Sequence, residues 1–539
     1  MQLASPPLRN GRREILLGGA VTAAVAGLLL VVGPAPGDAP AHLYRTLLVH
    51  QGAFVWDNLW YAGNYPLASY SLLYYLPAAV VGNLPLVFAA AVASTALFAS
   101  LAFREWGSAA LWPARVFGVL AAAPVFTGLY AYSLGFATML GALRALQGRR
   151  TLVAIVLAAL TLGFSPLAFT FLCLVLVALV VAHRRVTRRS LVLGLALLLI
   201  AGVELVALLA FPSPGVYPFH LINLVGVLGV STLGVLVARR ARGGAPIAAF
   251  FALWGLGSVV SFLVPTAVGG NWTRLGAFVL PLMLLTASLA AFRPRRLVAL
   301  ALAAAFAYNL TPYLMLIPYR LDNRPAAESF WQPAVSFLRK HAGPNFRIEV
   351  VPTAAHWESY WLPRAGFALA RGWYRQLDEV DNPALYAKHL DASAYRRWLR
   401  STAVKYVLLP ATALDPDGGA QEAQLVRSGA AGLALAFRGK EWAIYRLPRP
   451  TPMLTGPGTA VVTRLGHATI AGTVSAPGRY LLRTRYSPYW KLRGQGCVAL
   501  GPGKMTYLRF RAAGRFSLTV ASTPDALIDA ATGAHHSRC

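Results

Sequence analysis

Acidic residues are scarce in this sequence. Its 539 residues include 19 Asp and Glu against 49 Lys and Arg, which gives a formal net charge of +30. Only 13% of the residues are charged, 57% are hydrophobic, and the mean hydropathy is +0.55. A chain with so few charges is a poor match to an ordinary water-soluble enzyme, and the composition indicates an integral membrane protein.

Several common catalytic signatures are lacking too. The sequence contains neither C-x-x-C nor H-E-x-x-H, so we predict no metal site, with a divalent cation left open as an alternative. Without a G-x-G-x-x-G or Walker loop, no nucleotide-binding site and no other cofactor are predicted. Of the three cysteines, Cys173 lies in an apolar run, and the pairing of Cys497 with Cys539 stays an open question.

Long apolar runs fill the chain up to residue 318, and most are long enough to cross a hydrocarbon core of roughly 30 Å. We predict a polytopic α-helical membrane protein with about eleven transmembrane helices. The first run follows Arg9, Arg12 and Arg13, and we interpret it as an uncleaved span, with a cleaved signal peptide as the alternative. The predicted spans are residues 15–33, 84–103, 113–129, 131–147, 151–163, 166–182, 190–211, 218–238, 245–264, 272–292 and 297–317.

The arginines between these runs predict the orientation. If the basic loops are cytoplasmic, the N-terminal cluster, Arg104, the cluster at 144–150, the run at 184–189 and the clusters at 239–242 and 293–296 fall on one side. An odd number of spans then places the N-terminus in the cytoplasm and the C-terminal domain outside. The excess of Arg over Lys and the abundant alanine are typical of a GC-rich bacterial genome. We therefore expect a multi-pass protein of a bacterial plasma membrane.

We predict three regions along the chain. Residues 1–318 form the transmembrane domain, with a first outer loop at 34–83. Residues 319–413 form an extracytoplasmic α/β region, with helices predicted in "SFWQPAVSFLRKHAG" and "ASAYRRWLRSTA" and strands in "FRIEVVP" and "VKYVLLP". Residues 414–539 form an extracytoplasmic β-rich domain, whose short runs with regular turns predict a β-sandwich. The basic charge of this half suits anionic lipid or a cell-wall polymer, and nucleic acid is not expected outside the cell.

Elimination narrows the catalytic candidates in the membrane part. Residues 1–317 contain five acidic residues. Glu14 and Glu105 stand beside predicted cytoplasmic arginines, where a solvated surface position is the default. Asp38 and Asp57 fall in the first outer loop, and Glu204 lies within a span. We therefore predict Asp38 and Asp57 as candidate catalytic carboxylates.

Asp38 stands just after the first span, and Pro40 follows it. If "APAHLYRTLLVH" forms a helix along the membrane interface, His42 and Arg45 project from its first turns and become candidate substrate-binding residues. Two structural alternatives stay open. Asp38 would cap that helix, and Asp57 would stabilise a turn in "VWDNLWYAGNYP".

Two stretches combine aromatic and polar residues. The aromatic side chains of the first outer loop suit either an interfacial belt or a surface that stacks against sugar rings. The stretch "HWESYWLPRAGFALARGWYRQLD" suits either acceptor binding or a self-contained structural network. The substrate-binding candidates from the two stretches are Trp56, Trp60, Tyr61, His356, Glu358 and Arg371.

Three further substrate-binding candidates lie in or beside predicted spans. Glu204 is costly in a bilayer and must face the bundle interior or water, where it would pair with Arg274 or a histidine, as a structural contact or a catalytic one. Arg274 follows Asn271 in "GGNWTRLG" at the outer start of a late span. A guanidinium at this level suits the phosphate of a lipid-linked sugar, or else anchors the chain to phospholipid headgroups.

The chain resembles two groups of membrane proteins. The segments "GDAPAHLYR", "WYAGNYPLASYSLLYYLPA", "GGNWTRLG", "HWESYWLPRAGFALARGWYRQLD" and "VKYVLLP" resemble actinobacterial membrane proteins labelled as related to 6-pyruvoyl-tetrahydropterin synthase, over most of the chain. No pterin-synthase zinc site is present, so pterin chemistry is not inferred. The first span, the early Asp, the aromatic-rich loop, the many spans and the outer C-terminal domain together resemble the GT-C superfamily of membrane glycosyltransferases.

The GT-C resemblance implies transfer of a sugar from a polyprenyl-phosphate donor to an envelope glycan or glycolipid acceptor at the outer membrane face. It also implies that an acidic residue of the first outer loop acts as base, and the match falls on Asp38. Many members carry a second acid close by. Here Ala39 and Pro40 follow, so a second carboxylate would be Asp57, Glu204 or one from the C-terminal domain. The alternatives are a transporter or flippase for lipid or polysaccharide, and a non-catalytic scaffold for envelope assembly.

Overall fold

The structure is a computed structural model that describes residues 8–67, 70–316, 322–521, 526–528 and 539. The chain forms two compact units. The first, which we call the helical unit, comprises residues 1–39, 70–204 and 215–318. The second, which we call the mixed unit, comprises residues 40–69, 205–214 and 319–539. Each unit is thus built from three separate stretches of chain.

The helical unit follows from long runs of Leu, Ala and Val, which are apolar around the whole helix and therefore suit lipid or a buried bundle. Two 3₁₀ helices, Gly107–Ala110 and Gly269–Phe278, interrupt the α-helices. The end of α10, from Leu205 to Ala210, belongs to the mixed unit. The α-helices are α1 (Leu8–Val32), α3 (Tyr75–Val81), α4 (Asn83–Trp106), α5 (Leu111–Leu120), α6 (Ala123–Thr127), α7 (Tyr130–Gln147), α8 (Thr151–Phe164), α9 (Pro166–His183), α10 (Arg188–Ala210), α11 (Leu221–Ala238), α12 (Ala245–Leu263), α13 (Val279–Leu289) and α14 (Arg295–Leu316).

In the described residues, seven helical segments are long and apolar enough to cross a membrane. The prediction of a multi-pass helical membrane protein is therefore confirmed, whereas about eleven spans is more than this length and composition support. The predicted spans 84–103 and 113–129 fall within one apolar stretch of 45 residues, and 151–163 becomes the 14-residue helix α8. The seven segments are Gly11–Val32, Asn83–Thr127, Pro166–His183, Arg188–Ala210, Leu221–Ala238, Ala245–Leu263 and Gly269–Leu289.

Local chemistry explains why α8 and α9 are separate helices. Ser165 stands between them in an extended conformation, and its Oγ accepts a hydrogen bond from the backbone N–H of Ala168 at 3.2 Å. Pro166 occupies the first position of α9, where its missing N–H costs nothing. The serine cap and the proline therefore start a new helix at the "GFSP" sequence.

The mixed unit begins at Pro40, within α2 (Ala39–His50), which is the helix predicted from "APAHLYRTLLVH". Its first sheet has the strand order β1-β2-β4-β3, in which β1 and β2 are parallel and the other pairs antiparallel. The helices and strands predicted in residues 329–410 are confirmed in type. All elements of this part are α15 (Glu328–His341), β1 (Arg347–Val350), α16 (Glu358–Arg364), α17 (Arg375–Asp381), α18 (Ala392–Ser401), β2 (Val404–Pro410), α19 (Ala420–Arg427), β3 (Ala434–Arg438) and β4 (Trp442–Arg446). The predicted elements correspond to α15, α18, β1 and β2.

Two antiparallel sheets of four strands complete the mixed unit, in the orders β10-β11-β8-β5 and β6-β7-β12-β9. Buried and partly buried residues alternate along β8, as expected for a strand with one face on a core. Tyr480 and Leu508 of one sheet share a hydrophobic cluster with Phe516 and Leu518 of the other. The strands are β5 (Leu454–Thr455), β6 (Ala460–Leu465), β7 (Thr469–Val474), β8 (Gly478–Arg485), β9 (Trp490–Arg493), β10 (Gly496–Leu500), β11 (Met505–Phe510) and β12 (Gly514–Val520).

A disulfide bond joins two of the three cysteines. Cys497 in β10 is bonded to Cys539, whereas Cys173 in α9 is free. Disulfides persist in oxidising compartments and are rare in the cytosol. The bond is therefore consistent with an extracytoplasmic location of the mixed unit.

Candidate functional site

Asp38 and Arg274 lie together in the helical unit, although 236 positions separate them in the sequence. The Nη2 atom of Arg274 is 3.8 Å from Oδ2 of Asp38, and its Nη1 donates a hydrogen bond to the hydroxyl of Tyr70 at 3.2 Å. The two charged side chains are 22% and 21% exposed. The carboxylate and the guanidinium thus form a partly accessible ion pair, with a phenol beside the guanidinium.

Close backbone approaches set the positions of both residues. Gly128 has φ +86°, and a Cβ atom there would lie 2.8 Å from the backbone nitrogen of Asp38. Gly269 opens the 3₁₀ helix that carries Arg274, and a Cβ there would lie 1.7 Å from the carbonyl oxygen of Tyr217. Only glycine fits such contacts, particularly where φ is positive. Gly128 therefore allows close packing against Asp38, and Gly269 allows the start of the helix that carries Arg274 to pack against Tyr217.

The other membrane candidates take different positions. Asn271 lies one turn before Arg274 in the same 3₁₀ helix. Glu204 lies in α10, and in the described part of the chain its Oε2 is buried without a hydrogen-bond partner. The described partners of Arg274 are Asp38 and Tyr70, so the predicted pairing of Glu204 with Arg274 is not seen.

A cavity of about 420 Å³ lies among the helices of the helical unit. Leu275 and Phe278, which follow Arg274 in the 3₁₀ helix, contribute to its wall. Most of its lining is apolar, with polar groups from Glu105, Gln147 and His183. Its volume is in the range of small-molecule sites, and its apolar wall suits a hydrocarbon chain.

Asp57 belongs to the mixed unit and is fully buried there. Its Oδ1 is 2.8 Å from Nδ1 of His467, and its Oδ2 accepts a hydrogen bond from the hydroxyl of Tyr44 at 2.8 Å. Burial and then the charge of Asp57 raise the pKa of Tyr44 well above its ordinary value, so this hydroxyl stays protonated and donates. Asp57 thus orients a histidine, as the carboxylate does in catalytic triads.

The remaining candidates from the first outer loop are buried in the mixed unit. The Trp60 ring stacks on Tyr44 at 4.4 Å between centroids, and its Nε1 donates to the carbonyl of Ser359. Arg45 Nη1 donates to the hydroxyl of Tyr374 at 2.9 Å. These contacts make the loop part of the core of the mixed unit. The buried candidates are His42, Arg45, Trp56, Trp60 and Tyr61.

Arg371 is the centre of a buried charge network in the mixed unit. Its guanidinium donates to Asp378 at 2.7 Å and to Glu422 at 3.2 Å, and it lies 3.7 Å from Glu349. Tyr395 donates a further hydrogen bond to Glu422 at 2.6 Å. Burial, and next the charge of Glu422, raise the pKa of Glu349 well above its ordinary value. One guanidinium therefore faces three carboxylates, and burial among them raises the pKa of Glu349.

His356 and Glu358 form a smaller pair beside this network. His356 Nδ1 is 3.1 Å from Oε1 of Glu358, whose Oε2 accepts a hydrogen bond from the Thr353 hydroxyl at 2.6 Å. Burial acts to lower the pKa of His356, but the hydrogen bond and charge of Glu358 outweigh it, so the pKa is raised. Both side chains have partners within the mixed unit.

The network predicts that the mixed unit loses stability as the pH rises. Burial raises the pKa of Glu422 from 4.5 to about 7, so the folded state holds a proton that the unfolded state releases. The stabilisation is complete below 4.5 and is lost as the pH passes through about 7. We expect the melting temperature of the detergent-solubilised protein to fall between pH 5 and 8. The fall should be smaller in Glu422→Gln than in wild type or in the exposed control Glu328→Gln, and equal slopes would contradict this assignment.

Some site residues were beyond the reach of sequence patterns. His467 is the partner of Asp57, yet 410 residues separate them and "LGHATIAG" contains no recognised motif. Tyr70 is one of many tyrosines in an aromatic-rich loop, and only its contact with Arg274 distinguishes it. Glu349 and Glu422 lie on a strand and a helix whose patterns indicate structure alone. Three-dimensional proximity is the signal that identifies all four.

No group of three or more His, Cys, Asp and Glu side chains in the described parts of the chain is placed to hold a metal ion. No protein-family profile matches the sequence, and curated proteins give no significant match. The observations together describe a polytopic helical membrane protein with a C-terminal α/β and β-sheet part.

Proposed function

We propose that the protein is a membrane glycosyltransferase that moves a sugar from a polyprenyl-phosphate donor to an envelope glycan or glycolipid at the outer face of the plasma membrane. The observation that carries this proposal is the partly exposed pair of Asp38 and Arg274, 3.8 Å apart in the helical unit. The pair joins a proton acceptor to a phosphate-binding group. The resemblance to the GT-C superfamily, whose base falls on Asp38, supports the same reaction.

Asp38 acts as the general base. Its carboxylate accepts the proton of an acceptor hydroxyl while that oxygen forms a bond to the anomeric carbon of the sugar. The Asp38 side chain is 21% exposed beside the Arg274 guanidinium, so an acceptor hydroxyl can approach it. Positioning of the two reactants and this proton transfer together lower the barrier.

Arg274 stabilises the leaving group. The bond between the anomeric carbon and the phosphate oxygen breaks as the new glycosidic bond forms, and negative charge grows on the departing polyprenyl phosphate. A guanidinium presents several N–H donors in a plane that matches phosphate oxygens. The Tyr70 hydroxyl next to Arg274 holds the guanidinium in place. The activated donor supplies the driving force, so the reaction needs no nucleotide.

The cavity in the helical unit supports a lipid-linked donor. Its wall is largely apolar and includes Leu275, directly after Arg274, and Phe278, four residues after Arg274. An isoprenoid chain whose phosphate lies at Arg274 would find hydrocarbon contacts there. Burial of such a chain is favourable at about 0.8 kcal/mol for each CH₂ group.

The test is sugar transfer by the full-length protein in nanodiscs, with a panel of radiolabelled polyprenyl-phosphate sugars and an envelope extract as acceptor. We expect wild type to transfer one of the sugars. Arg274→Gln should lower kcat/KM by about 10²-fold or more, because a charge-assisted contact to the leaving phosphate is lost.

The matched control is Arg115→Gln, which removes another arginine of the helical unit that is paired with a carboxylate, Glu14, at 2.9 Å. This variant should transfer at the wild-type rate. If Arg274→Gln transfers as fast as Arg115→Gln, Arg274 does not bind the phosphate. If wild type transfers none of the sugars, the proposal fails.

One observation favours a second candidate, a lipid flippase. The cavity extends from Leu275, beside Arg274, to Glu105 and His183, which the arginine pattern places near the cytoplasmic side. A route of this kind would suit movement of a lipid between leaflets. Vesicles that contain the same protein preparation and a fluorescent polyprenyl phosphate separate the two functions, because a flippase moves the probe between leaflets without forming a glycosidic bond.

A further inference from the structure

The two-sheet part of the mixed unit has an unusual distribution of charge. Between residues 442 and 524 the sequence contains twelve Lys and Arg and no Asp or Glu. Two of these cations have partners in the unit: Arg485 pairs with Asp381 at 2.9 Å, and Arg483 donates to the carbonyl of Pro452. Most of the others are exposed. Among the described residues, Asp381 is the acid that forms an ion pair with a cation of this region, so this part of the surface carries an excess of positive charge.

Two of the exposed cations are cross-strand neighbours. Arg479 of β8 and Arg509 of β11 are register partners in the antiparallel sheet, and both side chains are exposed. Like charges directly opposite each other destabilise a sheet. Within the described residues, no carboxylate makes an ion pair with either arginine. The pair is thus an unfavourable arrangement that a bound anion would convert into a favourable one.

An aromatic ring lies next to the arginine pair on the same face. Tyr507 is two residues before Arg509 in β11, and the guanidinium carbon of Arg479 is 4.7 Å from the centre of its ring. The ring restricts the Arg479 side chain and orients its guanidinium. Leu481 is the register partner of Tyr507. The face formed by Arg479, Leu481, Tyr507 and Arg509, which we call the arginine face, thus combines two cations with an apolar centre.

The second sheet is basic as well. Lys491 and Arg493 of β9 are exposed, and so is Arg515 of β12. Positive charge therefore covers both sheets of this region. A membrane-binding surface instead concentrates its cations with exposed apolar anchors on one side. Among described residues 447–521, Val461 and Leu500 are the large apolar side chains that are well exposed, at 37% and 45%. The distribution suits an extended polymer better than a lipid surface.

We propose that the arginine face binds a polyanionic glycan, a polymer whose repeating units carry carboxylate or phosphodiester groups. The two guanidinium groups donate hydrogen bonds to successive anionic groups of the polymer, since adjacent strands lie about 4.8 Å apart. The ring of Tyr507 and Leu481 provide the apolar contact between them. This binding site is separate from the transfer reaction proposed for the helical unit, and its test involves no sugar transfer.

The test uses the full-length protein in nanodiscs of neutral phosphatidylcholine. Binding of fluorescent polygalacturonate and of inorganic polyphosphate is measured by anisotropy at several salt concentrations, with neutral dextran as a blank. We expect the double variant Arg479→Gln, Arg509→Gln to bind both polyanions roughly tenfold to thirtyfold more weakly than wild type at low salt. The control is Arg427→Gln with Arg438→Gln, which removes two exposed arginines outside the two sheets and should bind as wild type does.

Thermal stability provides an independent readout. The double variant of the arginine face should melt at the same temperature as wild type or above it, because a like-charge contact is removed. Equal polymer binding by wild type and this variant would overturn the proposal. Loss of binding to vesicles that contain anionic phosphatidylglycerol, with polymer binding unchanged, would also overturn it and assign the face to the membrane surface.

Discussion

Asp38→Asn is expected to reduce sugar transfer by about 10²- to 10⁴-fold, with donor affinity close to that of wild type. Asparagine keeps the size and polarity of the side chain but accepts no proton at neutral pH. The effect should therefore fall on kcat in the nanodisc assay, as expected for a group that acts in the transition state. Arg274 should still bind the donor phosphate, because the amide oxygen remains near its guanidinium.

The control for this prediction is Glu14→Gln, which neutralises the other carboxylate of the helical unit that is paired with an arginine. It should retain full activity. Equal melting temperatures of Asp38→Asn and wild type would show that the fold is intact. If the Asp38→Asn protein transfers sugar at the wild-type rate, Asp38 is not the catalytic base.

The largest effect on stability is expected for Arg371→Met. The substitution keeps much of the side-chain volume but leaves Glu349, Asp378 and Glu422 buried without their cation. Removal of one partner from a buried ionic network costs about 3 to 5 kcal/mol. We therefore expect a strongly reduced melting temperature. In urea titrations of the solubilised protein, tryptophan fluorescence should change at a lower urea concentration than in wild type.

Arg397→Met serves as the comparison, since it removes the same charge from the exposed face of α18 and should change stability little. A second test adds Glu349→Gln and Glu422→Gln to Arg371→Met. Neutral amides should recover part of the lost stability, because only Asp378 of the three carboxylates then remains without its cation. Arg371→Met with wild-type stability would show that the carboxylates are compensated in another way.

Local patterns were enough to predict several elements. The Asp-Ala-Pro start and the apolar spacing after it predicted α2 with the observed ends at Ala39 and His50. The strands β1 and β2 and the helices α15 and α18 were likewise predicted from alternation and helical spacing. These features depend on residues within one or two turns, which is the range over which sequence patterns report structure.

Other features depend on contacts between distant parts of the chain. A count of acidic residues singled out Asp38, but its contact with Arg274 arises from the packing of helices. The aromatic residues of the first outer loop suited a membrane interface or a sugar site, and the structure buries Trp56 and Trp60 in the mixed unit. Hydropathy placed separate spans at 84–103 and 113–129, and the structure has α4 in the first and α5 with α6 in the second. Apolar composition does not show how many membrane crossings this 45-residue segment makes.

The mixed unit is built from stretches that lie far apart in the sequence, so its parts are synthesised at different times. Asp57 is made 410 residues before His467, its hydrogen-bond partner. At translation rates of about 5 to 20 residues per second, roughly 20 to 80 s pass between the two. During this interval Trp56 lacks Trp490, against which it packs in the finished protein. The first loop therefore cannot complete its packing in the mixed unit until the last strands have been synthesised.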